Sequence, residues 1–331
     1  MNCKASILFV LLLITGTVAD GQVGRRSGPV TGERVTITHG DQLRNYRIHV
    51  PDSGLGRGPV PLVLVLHGGG GNSAQASAMG MTAVADTHGF IVVYPNAVSS
   101  HWNDGRISDR FAAQDTQADD VAFLSAVVES VSEDHNIDID PRRVFITGLS
   151  NGGFMSQRMA MERSDLFAAA AVVIATMSEP LSRKFQPEYP VSMLFMNGTA
   201  DPLVPYQGGE VVVDLFPQLS QLLRKPPPGR GRCIATGDAV LLWLQRNGLK
   251  PQDGHSVMLP DRDPTDGSRI EFTLWSGGES GTAVALYRVD GGGHTIPGGA
   301  QYLPARIIGS VNRDIDGMTT IWKFFEEHGR K

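Results

Sequence analysis

Val144-Phe-Ile-Thr-Gly-Leu-Ser-Asn-Gly-Gly153 is the stretch that decides the fold. Val144 to Thr147 are apolar or β-branched and read as a strand buried on both faces. Gly148-Leu-Ser150-Asn-Gly152 follows at once, and Gly153 to Arg163 then carries a helical pattern. A serine between a strand end and a helix start, with glycine two positions to either side, sits on a turn too tight for neighbouring side chains. A serine hydroxyl is a weak nucleophile until it is held in place beside a base, and such a turn does the holding. Ser150 is therefore the candidate nucleophile.

Working outward, short apolar runs recur at Leu62 to Leu66, Phe90 to Tyr94, Ala170 to Ala175, Val191 to Met196 and Ala285 to Val289. Helical segments separate them, roughly Ser77 to Thr87, Asp120 to Glu133 and Gly237 to Asn247, with a closing amphipathic stretch from Asp316 to His328. Strand–helix alternation predicts a mainly parallel α/β sheet with helices on both faces. Ahead of it, Arg34 to Thr38 and Tyr46 to Val50 alternate like an antiparallel hairpin. Gly208 to Arg232 breaks the rhythm with Lys225-Pro-Pro-Pro-Gly229. It is expected to be a loop insertion near the site's mouth, either a partial lid or a plain surface loop.

Three further motifs carry chemistry. His67-Gly-Gly-Gly-Gly71 follows the Leu62 to Leu66 run, so its backbone N–H groups can point at a developing oxyanion. The expected donors are the N–H of Asn151, next to the nucleophile, and the N–H of Gly69, preferred over Gly70. No Gly-Lys-Ser/Thr follows the run, so it is not a phosphate-binding loop. His67 is expected to order this loop. Asp201, in Asn197-Gly-Thr-Ala-Asp-Pro202, ends a strand, and His294 follows three glycines after the last strand. The order Ser150, Asp201, His294 is that of a nucleophile, acid and base triad on a strand–turn–helix scaffold. Trp102, in a polar loop, is the candidate for a substrate-binding wall. Asp119-Asp120 reads as a helix N-cap, His39, His49, His88, His135 and His328 as structural, and the Asn197 sequon as unmodified because it lies in the acid loop.

Composition narrows the function further. The chain has 331 residues, 41% hydrophobic and 19% charged, with 39 glycines and a formal net charge of −5. That charge, without a basic stripe, argues against nucleic acid as a partner. Lys4, the apolar run Ile7 to Ile14 and Thr17-Val-Ala19 read as a signal peptide over 1–19, too short to span a membrane comfortably. A flexible leader is expected over 20–33 and the catalytic domain over 34–331. Removal of residues 1–19, which hold Cys3, would leave Cys233 alone, without a disulfide partner or a cysteine metal cluster, and it reads as a plain thiol. The expected product is secreted, to the periplasm or the medium, with no membrane association in its mature form.

Taken together these blocks resemble the esterase family that groups polyhydroxybutyrate depolymerases with feruloyl and acetylxylan esterases. Asp140-Pro-Arg-Arg-Val-Phe-Ile-Thr-Gly-Leu-Ser-Asn-Gly-Gly153, Leu66-His-Gly-Gly-Gly-Gly71, Asp119-Asp-Val-Ala-Phe-Leu124, Asp201-Pro, Gly293-His294 and Ile321-Trp-Lys-Phe-Phe325 carry the resemblance, over about residues 34 to 328. It implies an α/β-hydrolase fold and a serine esterase whose triad is Ser150, Asp201 and His294, acting without metal or cofactor. The implied substrates are small or oligomeric esters: feruloyl or acetyl polysaccharide esters, or short polyhydroxyalkanoate oligomers. A solid polymer fits less well, since the chain shows neither a linker with a second binding module nor the disulfides of many relatives. The alternatives are a serine peptidase on the same fold and a non-catalytic binding protein on a hydrolase scaffold.

Overall fold

The computed structural model describes residues 30–51, 55, 58–108, 118–214, 220, 227 and 229–330. The expected signal peptide, most of the leader and much of the 208–232 insertion lie outside these residues. The centre is β3 (Val60–Leu66), β4 (Ile91–Pro95), β5 (Ile139–Leu149), β6 (Ala169–Val173), β7 (Ser192–Gly198) and β12 (Val284–Asp290), all mutually parallel in the order β4-β3-β5-β6-β7-β12. β3, β4, β6 and β7 are buried along their whole length, as strands covered on both faces must be.

Alternation along β3 distributes the core. Leu62, Leu64 and Leu66 pack with Phe123, Phe154 and Trp243 on one face, whereas Val63 and Val65 pack with Met81, Trp322 and Phe325 on the other. The helices behind the first face are α3 (Asp120–Asp134), α4 (Asn151–Glu162) and α6 (Thr236–Arg246). Those behind the second are α2 (Met81–His88) and α8 (Gly317–Glu327), after the short α1 (Ser73–Ser77), α5 (Glu179–Ser182) and α7 (Ala305–Ile308) are counted in chain order. Aromatic stacking fixes α8: Trp322 lies on Phe90 at 3.8 Å between ring centres and Phe325 on Phe145 at 4.8 Å. The Asp119 and Asp316 side chains cap α3 and α8, accepting from the N–H groups of Ala122 and Thr319 at 2.9 Å each.

Antiparallel hairpins flank the parallel centre at both ends. The expected one, β1 (Glu33–His39) with β2 (Gln42–His49), joins β4, so β1 begins within the span read as leader. The second, β10 (His255–Met258) with β11 (Arg269–Trp275), joins β12 and was not expected. The helix expected over Ser77 to Thr87 is two helices, because Gly80 between them takes φ 110°, which no continuous helix allows. Within the insertion, β8 (Gly209–Val212) and β9 (Gly229–Cys233) form a separate two-stranded sheet. Among the described residues no helix is long and apolar enough to cross a membrane.

Candidate active site

Ser150 occupies the turn between β5 and α4 with φ 55° and ψ −118°, a left-handed conformation costly for a residue with a side chain. Its N–H donates to the Val173 carbonyl at 3.0 Å, and its own carbonyl accepts from the Phe154 N–H at 2.9 Å. The flanking glycines exist for close approach. A Cβ on Gly152 would lie 2.5 Å from the Leu66 carbonyl oxygen, and one on Gly148 would run into the Gly152 carbonyl. The turn is thus pressed against the end of β3, where the glycine loop begins.

The candidate acid and base come from two other strand ends. The Nδ1–H of His294 donates to Asp201 Oδ2 at 2.6 Å, and both side chains are nearly buried, 4% and 3% exposed. Asp201 Oδ1 accepts the backbone N–H groups of Leu203 and Val204 at 2.8 and 2.9 Å, which fixes the carboxylate's orientation. The His294 main chain is tied in turn, its N–H to the Ile308 carbonyl and its carbonyl to the Tyr302 hydroxyl at 2.9 Å. A histidine held at Nδ1 presents Nε2 as the free acceptor, the arrangement a general base requires. Ser150 and His294 line one cavity of about 1030 Å³, together with Gly69 and Asn151.

Within the glycine loop the N–H of Gly70 donates to the Ser100 carbonyl at 2.9 Å and that of Gly71 to Gly68 at 3.0 Å. Both are therefore engaged elsewhere, which favours Gly69 as the loop donor. His67 anchors the loop as a neutral imidazole. Its Nδ1–H donates to the Gly68 carbonyl at 2.8 Å and Nε2 accepts from the Ala97 N–H at 3.2 Å. Burial above all pushes its pKa down from 6.5 to about 4, with the Gly68 bond opposing and nearby His101 assisting.

Trp102 does not occupy the position expected of it. Its side chain is fully buried and is not part of the cavity wall; the neighbouring His101 is. The physical reason is its indole N–H, which donates to the His67 carbonyl at 3.0 Å and draws the ring behind the glycine loop, against the His67 ring. The backbone of Trp102 also brackets Asn151. The Trp102 N–H donates to Asn151 Oδ1 at 2.8 Å, and Asn151 Nδ2 donates to the Trp102 carbonyl at 3.1 Å and to Asp104 Oδ2 at 2.6 Å. One loop thereby holds both the Gly69 segment and Asn151.

The residues that brace this loop escaped the sequence reading. Asp104 is fully buried and accepts from Arg106 Nε and Nη2 at 3.0 and 2.6 Å, while the Arg106 guanidinium stacks 4.2 Å from the Phe154 ring centre. Asp120, read as part of a cap, is instead a fully buried anion bound by Arg44 at 2.7 Å and by the Asn103 N–H at 2.8 Å; Asp119 is the cap. Two carboxylates beside an apolar run were the available signal. Cys233 is buried and its thiol is pushed up to about 11 by desolvation, as an unreactive thiol should be. Asn197 is 5% exposed and bonded to Ala175 and Thr236, so a glycan has no access. Among the structural histidines His88 alone also reaches the cavity wall. Among the described residues no group of three His, Cys, Asp or Glu side chains is placed to hold a metal ion.

Comparison with known proteins groups the chain with esterases. Residues 45–179 match the family model described as Esterase PHB depolymerase. The chain is 31% identical over 246 residues to the "Putative esterase NocK" of Nocardia uniformis subsp. tsuyamanensis, covering 74% of this chain and 67% of that one. It is 25% identical over 258 residues to feruloyl esterase B of Piromyces equi, covering 76% of this chain and 42% of the relative, so less than half of that protein is represented. The acetyl xylan esterase of Aspergillus awamori superposes over 89% of this chain and 100% of its own with a TM-score of 0.54 at 18% identity, a likeness of fold.

Proposed function

Since the chain belongs to the esterase PHB depolymerase family and has the α/β-hydrolase fold, we propose that it is a secreted serine hydrolase of carboxylic esters, working through Ser150, His294 and Asp201. The observation that carries the assignment is the 2.6 Å bond from His294 to a carboxylate doubly fixed by backbone N–H groups, in the cavity shared with a strained Ser150. His294 Nε2 takes the hydroxyl proton as Ser150 Oγ attacks the ester carbonyl. Asp201 keeps the ring in the Nδ1–H tautomer and stabilises the imidazolium. The N–H groups of Asn151 and Gly69 receive the oxyanion, each worth on the order of 3 kcal/mol of barrier. His294 returns the proton to the leaving alcohol, and water repeats the sequence on the acyl-enzyme.

The substrates we propose are soluble feruloyl or acetyl esters of polysaccharide, or short hydroxyalkanoate oligomers, reached after removal of residues 1–19. The test is a set of initial rates on p-nitrophenyl butyrate, methyl ferulate, acetylated xylan and a 3-hydroxybutyrate oligomer, beside Ser150→Ala. Turnover that disappears in the variant, with its far-UV circular dichroism intact, is the expected result. Turnover that survives in pure Ser150→Ala overturns the assignment.

A further inference from the structure

The cavity that holds Ser150 exceeds what an acetyl or a butyryl ester needs. Its volume of about 1030 Å³ is that of a site for a ligand of drug size. Part of it is an arm that runs from the nucleophile outward along α2 and α8. The two helices lie side by side. A Cβ on Gly80, just ahead of α2, would meet Met318 Cγ at 4.0 Å, and at the far end of α2 the centre of the His88 ring lies 5.7 Å from that of Trp322. Gly80, Ala83, Thr87 and His88 all belong to the cavity wall. From Gly80 to His88 the chain advances eight residues at 1.5 Å each, so the wall they form is about 12 Å long.

The inner walls of the arm are apolar. Leu149 and Ile174 flank the nucleophile turn, and Val84, Ile296 and Met318 continue from them. All five belong to one buried cluster of the core, so the arm is a place where the core's own apolar surface faces a cavity. Ile174 is put there at a cost. It holds φ 46°, a conformation that β-branched residues avoid, and its N–H is fixed to the Met196 carbonyl at 2.9 Å. Strain of this kind persists where the surroundings enforce it, and it collects at ligand sites. Two polar side chains along the arm are turned to their own helices: Thr87 Oγ1 donates to the Ala83 carbonyl at 2.9 Å, and Asp316 caps α8. Ala83, Thr87 and His88 are exposed, so the outer half of the arm is open to solvent.

A long arm with apolar walls, continuous with the nucleophile and open at its far end, fits a hydrocarbon chain. Sugar hydroxyls would lose their hydrogen bonds to water against those inner walls. An extended chain advances about 1.2 Å per bond, so about 12 Å takes about ten bonds. We propose that the substrate is an ester whose acyl or alcohol part is an unbranched aliphatic chain of about eight to ten carbons, seated along α2 and α8. This rests on the serine-esterase reading above and adds a substrate class to it, medium-chain aliphatic esters.

The test is kcat/KM of the purified full chain along two series. One runs through the p-nitrophenyl esters from butanoate to dodecanoate, with the chain on the acyl side. The other runs through the alkyl acetates from butyl to dodecyl, with the chain on the alcohol side. Burying one methylene corresponds to about fourfold in binding. In at least one series the eight-carbon ester should exceed the four-carbon ester by about tenfold or more, and the rise should level off near ten carbons. Ala83→Trp fills the arm midway and should bring the eight-to-four-carbon ratio close to one. Asp86→Trp, an exposed position on the same helix but outside the cavity wall, should keep the wild-type ratio. Because the readout is a ratio within one protein, a general loss of fold or of catalytic power cancels. If Ala83→Trp gives no active protein, Thr87→Trp, one turn further out, should lower the ten-to-four-carbon ratio instead. A flat profile in both series, or a chain-length preference that survives these two substitutions, overturns the inference. If Ser150-dependent turnover of the butanoate persists in that case, the esterase reading stands. If no ester is turned over at all, both fall.

Discussion

Acid should loosen the glycine loop through one residue, His67. Its imidazole is 1% exposed and uses both nitrogens, Nδ1–H to Gly68 and Nε2 from Ala97. Protonation turns the Nε2 acceptor into a donor facing another N–H, so the native fold accommodates only the neutral ring. Burial lowers the pKa from 6.5 in the unfolded chain to about 4 in the fold. The folded value lies below the unfolded one, so the unfolded chain binds more protons between them. The stabilisation is full above pH 6.5, declines as pH falls through the window, and is gone below about 4. The gap of about 2.5 units at 1.36 kcal/mol per unit gives about 3 kcal/mol. In urea unfolding at pH 7, 6, 5 and 4, wild type should lose about 3 kcal/mol more than His67→Gln, which cannot titrate. The variant begins less stable at pH 7, having lost fitted bonds, and the two curves converge as the solution is acidified. Parallel curves would refute the reasoning, because they would mean that His67 titrates alike in the folded and unfolded chain.

Two substitutions separate the parts of the site. Asp201→Asn leaves the volume unchanged but favours the wrong tautomer of His294, and should lower kcat on p-nitrophenyl butyrate by about 10⁴-fold with KM little altered; a loss below tenfold would remove Asp201 from its role. Trp102→Phe keeps an aromatic ring but is smaller than the indole and leaves the buried His67 carbonyl without its 3.0 Å donor, so it should cost at least about 1–3 kcal/mol in urea unfolding and lower kcat more than it raises KM. An unchanged kcat would mean that the indole packs behind the loop without positioning it.

Much of this was legible in the sequence because it is local. The Gly148-x-Ser150-x-Gly152 turn, the parallel strands around it and the helices on both faces follow from periodicity and from glycine's missing Cβ, properties of a few adjacent residues. The order of Ser150, Asp201 and His294 was equally visible, since each ends a strand that the pattern places on the same edge of the sheet. The C-terminal hairpin of β10 and β11 was not, because exposed edge strands lack the apolar runs that mark buried ones: all four residues of β10 are exposed.

What only the tertiary structure decided is which groups meet across long separations in the chain. Trp102 has the look of a pocket wall in sequence, and nothing nearby says that its indole will find the His67 carbonyl, 35 residues earlier. Asp104 reads as a loop aspartate until Asn151, 47 residues later, donates to it inside the core. The two arginines lie 124 positions apart, at 106 and 230, and share a cavity only because β9 packs on the Ile107 segment. Periodicity reports which face of an element is buried; a hydrogen bond or a shared field depends on distance in space. The sequence therefore determined the scaffold and the candidate triad, while folding decided what holds those residues still and which groups share their cavity.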